Sequence, residues 1–215
     1  KGWNALNTKA RALAIMEKLK EIYPEADCSL DYKEPWQLLF SARLAAQCTD
    51  ERVNQVSIPL YEKYPTLEAF AEADLDELEA IIRPTGFFRV KARDLKNAAI
   101  LLLSKFNGQV PQTMEELLEI PGVGRKVANL MLGDIYKKPA VVADTHCIRL
   151  SNRFGLCDSK DPKKVEFRLK ELLPPEEQND FCHRLVWFGR DVCTARNPKC
   201  HDCPLFELCA RIGVK

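Results

Sequence analysis

The sequence predicts an all-α fold. Three observations carry that reading. Apolar residues recur three and four positions apart along most of the chain. The 13 prolines punctuate these stretches instead of forming a tract. The one β-like run, 139–143, is short and reads as an extended connector. In chain order, Ala12, Ile15, Met16, Leu19, Ile22 and Tyr23 line one face of a first helix, which Pro24 ends. The same periodicity predicts helices over 36–46, 50–64, 67–73, 75–82 and 91–106, with turns at 83–86 and 107–111. Helices over 114–119, 125–136, 147–154, 162–173 and 178–191 complete the pattern.

At 215 residues and 46% hydrophobic content, the chain can bury one large core or two smaller helical domains that share one. No run approaches the ~18 apolar residues that span a bilayer. A basic–apolar–small leader is absent too, so the expectation is a soluble, cytoplasmic protein with no membrane partner. The net charge of +1 hides a segregation. Acid gathers at Glu68, Glu72, Asp74, Asp76, Glu77 and Glu79, whereas Arg83, Arg89, Lys91, Arg93 and Lys96 come next against Asp94 alone. A protein that lays one face on phosphates needs such local positive charge. Two ordinary solvated helix faces would look the same.

Nine cysteines are unevenly spread. Cys28, Cys48, Cys147, Cys157 and Cys182 are scattered, while Cys193, Cys200, Cys203 and Cys209 have the spacing C-x6-C-x2-C-x5-C. A cluster plus a scatter reads as a metal site plus buried thiols. Four thiolates suit zinc or a [4Fe–4S] cluster. Structural zinc sites mostly pair two C-x2-C knuckles and only one is present, so the longer arms favour iron–sulfur.

Thr113, with Glu116 three residues on, is a capping-box pattern for a short helix that stops at Ile120-Pro-Gly-Val-Gly124; another helix begins at Arg125. Gly122 and Gly124 can take positive φ and expose bare backbone. The second helix then presents unpaired N–H groups and its positive dipole end, a natural seat for phosphate. A dinucleotide fingerprint fails here, because Val127 replaces the third glycine and a helix precedes the loop. A plain helical corner with glycines for close packing remains the alternative.

The run LEIPGVGRKVAN from Leu118 to Asn129 resembles the helix–hairpin–helix of the endonuclease III family of base-excision DNA glycosylases. VVADTH from Val141 to His146 is similar to that family's catalytic-aspartate segment, and LAAQCTD from Leu44 to Asp50 to its lesion-side loop. The four-cysteine spacing is the family's own, so the resemblance covers nearly the whole chain in order.

The resemblance implies two helical lobes flanking a DNA-binding cleft. A six-helix barrel over 28–138 would carry the hairpin, and a helical domain of 1–27 and 139–215 would hold the [4Fe–4S] cluster on Cys193, Cys200, Cys203 and Cys209. It implies a bifunctional glycosylase and abasic-site lyase acting, as a prokaryotic, nucleoid-associated monomer, on double-stranded DNA with damaged pyrimidines or abasic sites. Lys126 matches the nucleophile and Asp144 its carboxylate partner. The residue types suit this chemistry: a neutral amine can displace the base from C1′ and leave an imine that acidifies the C2′ proton, which a hydroxyl cannot do. A carboxylate can stabilise cationic sugar character and orient the amine. Taken singly, Lys126 is also an ordinary first-turn lysine, and Asp144 an ordinary helix cap.

A base inside a duplex must be extruded to reach such an amine, and the hole filled. The matching positions are Gln47 and Phe87, in Gly86-Phe-Phe-Arg89, where the family more often has Leu-Tyr. Phe87 or Phe88 could stack on the orphaned base, or pack in the core. Gly122, Val123, Gly124 and Arg125 of the hairpin, and Arg196 and Lys199 of the cysteine loop, are expected at phosphates. Thr145 is expected to shape the pocket, although a cap explains it equally well. Two rivals stay open: a monofunctional mismatch glycosylase, which usually lacks the lysine and adds a C-terminal domain, and a non-catalytic metal-stabilised DNA-binding module.

Overall fold

The structure, a computed structural model, describes residues 7–214. The first six residues of the expected cluster-bearing domain and Lys215 lie outside the described residues. Among the described residues every regular element is helical: α1 (Thr8–Ile22), α2 (Pro35–Leu44), α3 (Asp50–Lys63), α4 (Leu67–Glu72), α5 (Leu75–Ile82), α6 (Phe88–Phe106), α7 (Met114–Leu118), α8 (Arg125–Leu130), α9 (Thr145–Arg153), α10 (Pro162–Leu172) and α11 (Gln178–Asp191). None is long and apolar enough to cross a membrane. The chain forms two compact units. One is Cys28–Tyr136; the other joins the chain up to Asp27 to the chain from Lys137 onward.

The unit Cys28–Tyr136 contains α2 to α8. Thr49, Thr66, Asp74 and Thr113 each accept a bond from the amide three residues on, which satisfies an otherwise orphaned donor and sets where α3, α4, α5 and α7 begin. Trp36, Phe40 and Phe70 meet edge to face with centroids 5.0–5.6 Å apart at the centre of its core. Leu38, Leu60, Leu78, Leu95 and Leu102 are buried in the same unit.

The predicted 125–136 helix is two segments. After α8 the chain widens into a π turn, Met131–Ile135, closed by Tyr136 N–H donating to Met131 O at 3.4 Å. Residues 128–134 are buried without interruption, so the apolar pattern there has no solvent face from which to read a period.

In the other unit, α1, α9, α10 and α11 enclose Ile15, Leu19, Leu150, Phe154, Leu169, Phe181, Leu185 and Phe188. Glu177 ties α1 to α11 by pairing with Lys20 and, at 3.2 Å, with Arg184. The Lys20 ammonium, seconded by the Arg184 guanidinium, holds the Glu177 carboxyl below the usual carboxylate range. Residues 140–143 run buried and without regular structure into α9, as an extended connector should.

Candidate functional site

The hairpin between α7 and α8 rests on an ion pair. Arg43 of α2 and Asp94 of α6 meet at 2.7 Å, each side chain about one-fifth exposed. Gly122 crosses them with φ +78°, and a Cβ there would stand 2.5 Å from Arg43 Nε and 2.8 Å from Asp94 Oδ2. Both backbone and space therefore require glycine. Gly124 departs from expectation: its φ is −104° and a Cβ would meet nothing within 4 Å. It caps α8 with ordinary extended backbone and leaves open space before the helix. Val123 is buried and anchors the turn through its N–H to Ile120 O at 3.0 Å. Arg125 and Lys126 are the first two residues of α8, half-buried and exposed respectively.

Gly122→Ala is expected to destabilise the protein by about 2–3 kcal/mol, from left-handed backbone forced on a Cβ and from the loosened ion pair. Thermal unfolding beside DNA binding would check it. Affinity should fall even below the melting transition, because the displaced turn carries the α8 amides with it.

Gln47, φ +55°, and Phe87, φ +48°, are exposed residues of this unit that hold left-handed backbone without being glycine; Asn107, φ +53°, does the same where it caps the end of α6. Gln47 lies just beyond α2; Phe87 is the N-cap of α6 and 65% exposed. Phe88 is half-buried, with the guanidinium carbons of Arg83 and Arg89 at 5.1 and 5.8 Å from its ring centroid. Phe87 is therefore the ring offered to solvent. Lys91 corrects the expected basic face, since it is fully buried and adds nothing to surface charge.

In the other unit, Asp144 is the N-cap of α9, and its Oδ1 accepts the Cys147 N–H at 2.7 Å. It is half-buried, and its neighbour Thr145 is exposed. Further along α9, Arg149 Nη2 lies 3.2 Å from His146 Nδ1 and donates to Gly189 O at 3.2 Å and Cys193 O at 3.0 Å. Burial and the neighbouring Arg153 charge both press its pKa down. Gly189 is where α11 admits these groups: a Cβ would come within 2.4 Å of His146 Nδ1.

One helical turn on, buried Arg153 donates to Thr194 O at 2.7 Å, Ala195 O at 2.8 Å and Cys193 Sγ at 3.2 Å. Its own carbonyl accepts Ile212 N–H at 3.2 Å. None of the four clustered cysteines is tied up in a disulfide. Arg211 N–H points at Cys209 Sγ from 3.3 Å. Such N–H···S donation favours thiolate sulfur, so this pocket fits an iron–sulfur cluster. Cys193 and Cys209 are buried and Cys200 and Cys203 half-buried, while Arg196 and Lys199 stand exposed on the loop between.

Reasoning from sequence missed four positioning groups: Lys91, the Arg43–Asp94 pair, Arg149 and Arg153. Only the last two left a signal, two arginines four apart on one face of a short helix.

The family model of HhH-GPD superfamily base excision DNA repair proteins matches residues 40–175, and the iron–sulfur binding domain of endonuclease III matches 193–209, the span of the four cysteines. Endonuclease III of Synechocystis sp. is 46% identical over 202 residues, covering 94% of this chain and 92% of that protein. Endonuclease III of Escherichia coli K12 is 34% identical over 201 residues, 94% and 95% of the two chains. A trapped endonuclease III–DNA covalent intermediate superposes with a TM-score of 0.91 at 39% identity, covering 96% of this chain and 97% of that one. A thermostable thymine-DNA glycosylase shares the fold, TM-score 0.82 at 21% identity. This chain belongs to the endonuclease III family of helix–hairpin–helix base excision DNA repair proteins, with that family's iron–sulfur domain.

Proposed function

We propose that this base-excision glycosylase and lyase acts on oxidised or reduced pyrimidines in duplex DNA, with Lys126 as nucleophile and Asp144 as its carboxylate partner. The observation that carries the assignment is the exposure of Lys126 in the first turn of α8, directly behind the glycine hairpin, in a chain that superposes on a protein trapped covalently on DNA. A covalent intermediate requires an enzyme nucleophile, and an amine is the group whose adduct also cleaves the strand.

In the proposed sequence, the hairpin amides and Arg125 hold a backbone phosphate. Gln47 and Phe87 occupy the space that the extruded nucleotide vacates. The Lys126 amine bonds to C1′, the glycosidic bond breaks, and the base departs with the bonding pair and takes up a proton. Ring opening at O4′ gives the imine. Loss of the C2′ proton then expels the 3′ phosphate, and water frees the lysine. Asp144, held by its capping bond, offers negative charge to the sugar as it becomes cationic. When bound to the four cysteines, the cluster supplies structure, holding the 194–199 loop so that Arg196 and Lys199 reach phosphates. The protein would work as a monomer in the compartment that holds the chromosome.

The test is nicking of a thymine glycol duplex beside abasic DNA. Cleavage of both is expected. Base release without strand cleavage would mean a monofunctional enzyme, and retarded but intact DNA would mean a binding module; either overturns the proposal.

A further inference from the structure

Lys91 carries its amine into the interior of the unit Cys28–Tyr136. It sits in the first turn of α6, is 0% exposed, and donates from Nζ to Leu44 O at 2.7 Å and to Thr85 O at 2.8 Å. Both acceptors end helical segments. Leu44 is the last residue of α2, and Thr85 the last of a single 3-10 turn, Arg83–Thr85. The ammonium thus satisfies two terminal carbonyls that their own helices cannot, and it sits at the negative end of the α2 dipole.

Each of these carbonyls stands at the stem of a loop. Three residues after Leu44 comes Gln47, and two after Thr85 comes Phe87, each exposed and each with left-handed backbone. A single buried cation grips the stems of both loops from behind. Thr85 adds a second restraint, its hydroxyl donating to Ile82 O at 2.8 Å. Burial, with nearby Arg43, presses the Lys91 pKa down, yet a surface-accessible role is closed to a side chain with no exposed area. Its hydrogen bonds, not its field, are what reach the DNA face.

We propose that Lys91 is a positioning residue for base extrusion: it sets the spacing between the Gln47 and Phe87 loops, so that both side chains enter the duplex together. The inference rests on the reading of those two residues as fillers of the vacated space. It separates two activities. Opening a base pair in duplex DNA needs both loops in register, whereas lyase action on a single-stranded abasic site needs neither, because nothing has to be unstacked.

The experiment compares wild type with Lys91→Met, which keeps the length and removes the donors, and Lys91→Arg, which keeps charge and donors. Single-turnover release of thymine glycol from duplex is measured beside lyase action on single-stranded abasic DNA. 2-Aminopurine opposite the lesion reports unstacking by fluorescence, and amide hydrogen exchange is monitored over 45–48 and 85–88. Lys91→Met should lower the duplex rate about 10- to 100-fold, suppress the fluorescence rise, speed exchange in both loops, and leave the single-strand lyase within about twofold. Lys91→Arg should recover part of the duplex rate. Equal loss in both assays, unchanged exchange in either loop, or an undiminished duplex rate each overturns the inference. Should Lys91→Met not fold, Lys91→Gln is read by the same criteria. The wild-type control keeps the two ideas apart: no release from duplex by wild type sinks the functional reading, and a normal wild type with an indifferent variant sinks only this one.

Discussion

Lys126→Ala is expected to abolish the borohydride-trappable complex with abasic DNA and to slow base release by about 10⁴-fold, a loss typical when the covalent group itself is removed. Binding to an uncleavable abasic analogue should persist within a few-fold. In the proposed function the phosphate grip belongs to the backbone amides before α8 and to a turn that Gly122 and Val123 fix, and exposed Lys126 has no part in that turn. A trapped adduct surviving in the variant would move the nucleophile elsewhere. A variant that had lost binding as well would show the lysine to be a phosphate contact instead.

Arg153→Met carries the largest expected effect on stability. It removes the buried donors to Thr194 O, Ala195 O and Cys193 Sγ while leaving those acceptors in place. Hydrogen bonds from a charged donor contribute about 1.5–3 kcal/mol each, and orphaned buried carbonyls cost more than absent ones. We expect a loss of about 3–5 kcal/mol and a protein that purifies with much of its visible iron–sulfur absorbance gone. Arg153→Lys should fall between, since an ammonium cannot span three acceptors as a guanidinium does. Thermal unfolding together with the iron content per chain checks both. Full iron content and an unshifted melting temperature in Arg153→Met would show that the loop is held by its sulfurs alone.

The features legible in the sequence are those whose chemistry is local. A helix cap lies within three residues of what it caps, so the starts of α3, α5 and α7 could be read from Thr49, Asp74 and Thr113. The hairpin and the cysteine spacing are equally short-range. What escaped was set by tertiary context. Lys91 falls within a run of basic residues and looks like one more surface charge; its two acceptors lie 47 and 6 positions away, and only the packed fold brings their carbonyls to it. Arg153 is likewise defined by partners 40 to 42 positions distant. Gly122 and Gly124 read identically, yet only Gly122 needs to be glycine, because Arg43 and Asp94 arrive beneath it from other helices. The π turn at Met131–Ile135 was hidden because unbroken burial erases any period.

Gln47 and Phe87 keep the resting molecule under a small strain. Each holds a backbone region that disfavours a side chain by roughly 1–2 kcal/mol, so the unliganded protein forgoes about 2–4 kcal/mol that glycine at both places would return. If these side chains enter the duplex as proposed, the loops would need little ordering on the encounter, and a cost that would otherwise weaken association would be met during folding. Selection for thermal robustness alone would erode these two positions, and on the proposed role damaged DNA would then meet a sturdier but slower searcher.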